Sequence, residues 1–188
     1  MDTLSELKTS ISEEIENIWI NEPEDVRTMR HGFFPDGAGV YDQYFSVLVM
    51  VGSEARSLAI HTFSNLVTFA DSGQFTLEQL RYMAKEMLRI TSGVIGYFGL
   101  KRLGEILTSF LKHIDEVNNI TELRNLCADL FTLSNRYQMW LHQTFPWHLS
   151  IFFPQKTLKK VQEDLAIAQS LTEERVDRSL PSAKDLLT

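Results

Sequence analysis

With one cysteine, Cys127, the chain has no internal disulfide, and that residue's place among apolar residues at helical spacing reads as a small buried hydrophobe. No apolar run approaches the ~20 residues of a membrane span. The first residues are acidic where a secretory leader would be basic and then apolar, which predicts a cytoplasmic protein. The sequence contains no His-Glu-x-x-His, no Glu-x-x-His pair, no paired Cys-x-x-Cys and no glycine loop closed by Lys-Ser/Thr. These absences remove the ligand sets of zinc hydrolases, di-metal bundles and zinc ribbons, and the phosphate cradle of nucleotide hydrolases. Gly37 and Gly39 lack the preceding strand that a dinucleotide fingerprint requires. The five histidines are scattered, so no metal site and no cofactor are expected. There is no sustained period-two alternation, no internal repeat and no low-complexity tract.

Basic charge is also in short supply. Eighteen Lys and Arg stand against 25 Asp and Glu, for a net charge of -7. The imbalance sits entirely in residues 2–25, where eight acidic groups face Lys8 alone, and the remainder is neutral. A nucleic-acid partner is therefore not expected, and a membrane surface is disfavoured. The acidic first segment is either a solvated helix face or a docking surface for a basic partner.

What is present is helical periodicity in a chain of 188 residues, 44% hydrophobic and 23% charged, enough for one domain with a real core. Leu4, Leu7, Ile11, Ile15, Ile18 and Trp19 recur at three- and four-residue steps, and Asn21 and Pro23 end that helix. A glycine-rich loop is expected from there to Val40. Residues 41–70 are helical and apolar around most of the circumference, the pattern of a central bundle helix. Thr76–Gln79 has the form of a capping box. Gly93, Gly96 and Gly99 predict either a break near Gly99 or close packing of helices around Gly93 and Gly96. Thr121 is the expected cap of a helix that must yield before Pro146. A last amphipathic segment runs from Leu158 to Leu171. The expected architecture is all-α, a single-domain bundle of about six helices over residues 1–171, with a glycine-rich loop between the first two and a mobile tail at 172–188.

Three places carry possible chemistry. The first is RHGFFPDGAGVYDQYF, residues 30–45, where Pro35 stiffens the chain and Asp36-Gly37 favours a turn. Glycine amides and the first turn of the next helix suit an anion such as a carboxylate, with His31, Asp36, Gly37, Gly39 and Tyr41 as ligand-binding candidates. The alternative is a well-packed connection anchored by its aromatics. The second is a polar arc on the helix at 41–70, formed by Gln43, Ser46, Glu54, Ser57, His61, Ser64, Asn65 and Thr68. It reads as an exposed face or as a pocket wall, with Ser57 and Asn65 as ligand contacts. Glu54 and His61 are the pair that would serve as base and acid if the chain catalyses. The third is the aromatic run containing Tyr137, Trp140 and His142, which closes a core end or lines a pocket.

Three stretches, HGFFPDGAGVYDQYF, FGLKRLGEIL and FPW, resemble the helical bundle at the C-terminal end of cucumopine synthase, over residues 28–154. The resemblance implies a helical-bundle fold. Cucumopine synthase condenses histidine with 2-oxoglutarate to make an opine, and in that family the bundle follows a barrel-like domain. The bundle brings no catalytic motif to transfer. The function expected is binding of a small, carboxylate-bearing metabolite, accessory to opine-like condensation chemistry. The alternative is a protein-interaction module that docks another protein, or a second copy, through its acidic first helix or its aromatic C-terminal region.

Overall fold

The computed structural model describes residues 1–33, 43–97, 99–144, 163, 166–167, 170–171, 173–175 and 178. Six α-helices follow in order: α1 Leu4–Ile20, α2 Glu24–Phe33, α3 Gln43–Ser72, α4 Leu77–Tyr97, α5 Lys101–His113 and α6 Ile120–Thr144. A 3-10 turn at Ile114–Glu116 separates α5 from α6, and no strand occurs among the described residues. None of the described helices is long and apolar enough to cross a membrane.

Local signals set most of these boundaries. Thr3 caps α1 by accepting from the Glu6 N–H at 3.1 Å, and Leu7, Ile11, Ile15 and Ile18 turn inward from it. Thr76 and Gln79 form the capping box in full. The Thr76 hydroxyl accepts from the Gln79 N–H at 3.2 Å, and the Gln79 side chain accepts from the Thr76 N–H at 2.9 Å. Gly73 closes α3 at φ 68°, and Gly99 breaks the chain between α4 and α5 at φ 109°.

Two expectations need correction here. The segment after Pro23 is not loop but α2, so the glycine-rich segment follows the second helix rather than the first. Pro23 ends nothing. Its carbonyl accepts from the Arg27 N–H at 3.0 Å, and Glu24 and Asp25 complement the dipole of the turn it opens. The cap of α6 is Asn119, not Thr121, since Asn119 Oδ1 accepts from the Glu122 N–H at 2.7 Å. Glu122 in turn accepts from the Asn118 N–H at 3.1 Å.

α6 is the centre of the bundle. All six residues from Leu130 to Asn135 are buried, and the helix packs against α1, α2 and α3. α3 keeps an exposed side at Glu54, Leu58, Asn65 and Thr68. Asp71 pairs with Arg124 and Arg56 with Gln138, so α3 and α6 run antiparallel. α1 runs along α6 in the same direction, from Lys8 at Glu122 to Ile18 at Trp140. Phe63 and Phe110 meet edge to face at 6.0 Å between ring centres in the shared core. Cys127 is buried, and burial pushes its thiol well above the usual range, as a core role requires.

α4 and α5 approach through glycine. A Cβ added at Gly104 would lie 2.6 Å from the Gly96 Cα, so backbone meets backbone there. The break at Gly99 and close packing at Gly96 both hold, but Gly93 takes no part in the packing, since a Cβ there would meet nothing within 4 Å. Helical residues continue past Leu171, the expected end of the bundle. Arg175 and Arg178 reach Asp129 of α6, and Glu174 reaches Arg124. The first part of the expected tail is thus tied to α6 by charge.

Candidate functional site at the seam of α3 and α6

α3 is apolar through Ala55, Ala59, Ile60 and Phe63, all buried. Arg56 sits in this same inward face with only 6% of its surface exposed. Its Nε donates to Gln138 Oε1 of α6 at 2.7 Å. A buried guanidinium normally takes a carboxylate, because desolvating an unpaired charge is costly. Among the described residues no carboxylate pairs with Arg56. Burial alone lowers its pKa to about 10, which leaves it cationic at neutral pH.

The α6 side of this seam is unusually polar for a bundle centre. Thr132, Ser134 and Asn135 are all buried. Thr132 satisfies itself on the Ala128 carbonyl at 3.0 Å. Ser134, one turn before Gln138 on the same side of the helix, has a buried hydroxyl with no hydrogen-bond partner. Facing chains of apolar residues would make a better core. A charged group and an orphan hydroxyl within one turn of each other on this seam mark it as something other than packing.

Where α6 meets α1 it carries a second polar group. The Tyr137 hydroxyl donates to Glu14 at 2.6 Å, and burial followed by that carboxylate pushes its pKa up. Arg102 of α5 lies 3.7 Å from Glu14, and the Arg102 N–H donates to Asp25 at 2.8 Å. Asp25 thereby caps α5 from another helix, since Leu100 at its own N-cap position makes no side-chain bond. Burial raises the Asp25 pKa, and the carboxylates of Glu14 and Glu105 add to the rise. Trp140 donates from Nε1 to the Ile18 carbonyl at 2.7 Å, and Arg136 donates to the Ile18 carbonyl at 3.2 Å and also to that of Trp19. The Arg136 guanidinium stacks 4.7 Å from the Trp19 ring centre. These contacts close the C-terminal end of α1, whose last carbonyls need donors.

The sequence-derived candidates divide accordingly. Tyr137 and Trp140 spend their polar atoms on α1. His61 and Ser57 are half-buried on α3, whereas Glu54 and Asn65 are exposed. At Glu54 the exposed-face reading of the arc applies rather than the pocket wall, because Glu54 lies on the outward side of α3. His31 and His142 have helical backbone, but their side chains lie outside the described residues, as do Asp36, Gly37, Gly39 and Tyr41 entirely. Arg56, Gln138 and Ser134 were missed. The available signal was Arg56 itself, the only Lys or Arg in the thirty residues of α3 and at a position that the helical period assigns to the core.

The model of the cucumopine synthase C-terminal helical bundle domain matches residues 4–144. No curated protein matches the chain. A solved structure described as McbB in complex with tryptophan is similar, with a TM-score of 0.65 and 27% identity. That likeness covers 79% of this chain and 48% of the other, so this chain spans about half the length of its structural relative. With three quarters of its length matched and the bundle in place, this chain belongs to the cucumopine synthase C-terminal helical bundle family.

Proposed function

We propose that this chain is a cytoplasmic helical domain that binds a small carboxylate-bearing metabolite and serves opine-like condensation chemistry. The observation that carries the reading is the family relative determined with tryptophan, an amino acid, over a likeness that includes most of this chain. The uncompensated positive charge in the α3–α6 seam supports it, because an acid supplies what that seam lacks. The exposed position of Glu54 speaks for binding rather than for an acid–base pair with His61.

A thermal-shift screen against amino acids, 2-oxo acids and opine-like conjugates tests this. At a hundredfold excess over Kd a ligand specific to the folded form adds about 2.7 kcal/mol. At ~2–4 °C per kcal/mol for a chain of this size, the melting temperature rises by roughly 5–10 °C. No shift with any carboxylate-bearing compound would reject the reading. If a basic protein partner then binds and Glu13 and Glu16 on the exposed side of α1 matter, the docking-module alternative replaces it.

A further inference from the structure

We infer that Arg56 is the carboxylate anchor of this domain: a desolvated guanidinium on α3, steadied by Gln138, whose free end takes the carboxylate of an amino or 2-oxo acid. The inference rests on the reading just given and adds the group that performs the recognition. Its first support is the contrast with the other arginines. Arg124 holds Asp71 and Glu174, Arg102 holds Glu14, and Arg175 and Arg178 hold Asp129. Arg56 is the one buried arginine among the described residues, and its hydrogen bond goes to a neutral side-chain amide; Arg81 and Arg136, which bond to backbone carbonyls, are less buried.

The geometry of that bond is the second support. It engages Nε and leaves the two terminal nitrogens without partners among the described residues. Those nitrogens form the planar fork that matches a carboxylate with two parallel hydrogen bonds. Gln138 cannot neutralise the cation, but it fixes the guanidinium plane, so little rotamer freedom remains to be lost when an acid arrives. Ser134 is the third support. Its buried, unpartnered hydroxyl lies one turn along α6 from Gln138 and offers a further donor to the same ligand. A purely structural arginine would gain from a counter-ion that the chain could readily supply. A bound acid would add the counter-ion that no described residue provides for Arg56.

The test uses the whole chain with matched probes, L-tryptophan against tryptamine and L-histidine against histamine, each pair differing by one carboxylate. Wild type should be stabilised by an acid and not by its amine. Arg56→Met, similar in length and neutral, should melt at or above the wild-type temperature without ligand, yet lose at least ~10-fold in affinity for the acid, the minimum expected for a charge-assisted pair. Gln138→Glu keeps the arginine and places a counter-ion beside it. That variant should melt higher than wild type and also lose acid binding. If both variants bind the acid as wild type does, the anchor assignment is overturned while the binding reading survives. If Arg56→Met melts well below wild type and Gln138→Glu still binds, Arg56 is structural. If wild type fails to separate acid from amine, both readings fall together.

Discussion

Replacing Gly104 with alanine tests how α4 and α5 are held together. In a helix interior alanine is favoured over glycine by up to about 1 kcal/mol, so the change should stabilise α5 if nothing stands in the way. The added Cβ would lie 2.6 Å from the Gly96 Cα, 2.7 Å from the Gly96 nitrogen and 3.1 Å from the Ser92 carbonyl oxygen. These are backbone atoms, which have no rotamer to yield, and ordinary contact begins near 3.4 Å. The helices must separate by most of an ångström along a seam that also buries Leu103, Leu107, Leu88 and Ile95. Overpacking of this kind costs about 1–3 kcal/mol, which outweighs the gain in propensity. The expected net loss is ~1–2 kcal/mol, or roughly 2–8 °C in melting temperature. Gly93 is the control. Nothing lies within 4 Å of a Cβ there, so Gly93→Ala should raise the melting temperature by the propensity gain. Thermal unfolding by circular dichroism reads both. A Gly104→Ala protein as stable as Gly93→Ala would refute backbone-to-backbone packing of these helices.

Two carboxylates should give pH effects of opposite sign. The Asp25 pKa is raised by burial, so its contribution is complete below the usual carboxylate range and is lost as pH rises through the raised value. Asp25→Asn keeps an acceptor for the Arg102 N–H and should therefore compare better with wild type at pH 7 than at pH 3.5, a pattern that melting curves at ~pH 3.5 and ~pH 7 reveal. Glu122 is held below the usual range by the hydrogen bond from Lys8 and then by that from the Asn118 N–H. Its contribution is present above that range and lost as pH falls, so the deficit of Glu122→Gln should shrink on acidification. An unchanged deficit from pH 7 down to ~pH 3 would show that the Lys8 pairing adds nothing.

Most of the bundle was legible because its signals are local. Thr76 and Gln79 announce a helix start through four residues of sequence, and Gly99 marks a break by the conformation it alone permits easily. α2 was hidden because Pro23 both stops and starts helices, and because Val26 is its one apolar residue in the first turn to be buried. Asn119 and Thr121 are both competent caps, and the choice fell to the reciprocal bond between Glu122 and the Asn118 N–H. The site was harder to read. Periodicity assigned α3 the central place, but centrality depends on what covers a helix, and α6 is covered on more sides. Arg56 escaped notice because a sequence does not show whether an inward arginine has found a carboxylate. Tyr137 and Trp140 were read by their rings, while their polar atoms, aimed at Glu14 and the Ile18 carbonyl, decide which side of α6 they serve.

The claim at the centre is that a carboxylate enters the α3–α6 seam and meets the Arg56 guanidinium. Nitrogen-15 NMR of the arginine side chains, assigned for Arg56 by its loss in Arg56→Met, observes that group directly. Titration with L-tryptophan, L-histidine or 2-oxoglutarate should shift the Arg56 signal in a saturable manner with at least one of these acids, and tryptamine and histamine should leave it in place. An Arg56 signal that stays fixed through all three titrations, or that moves equally with the amines, would contradict the account.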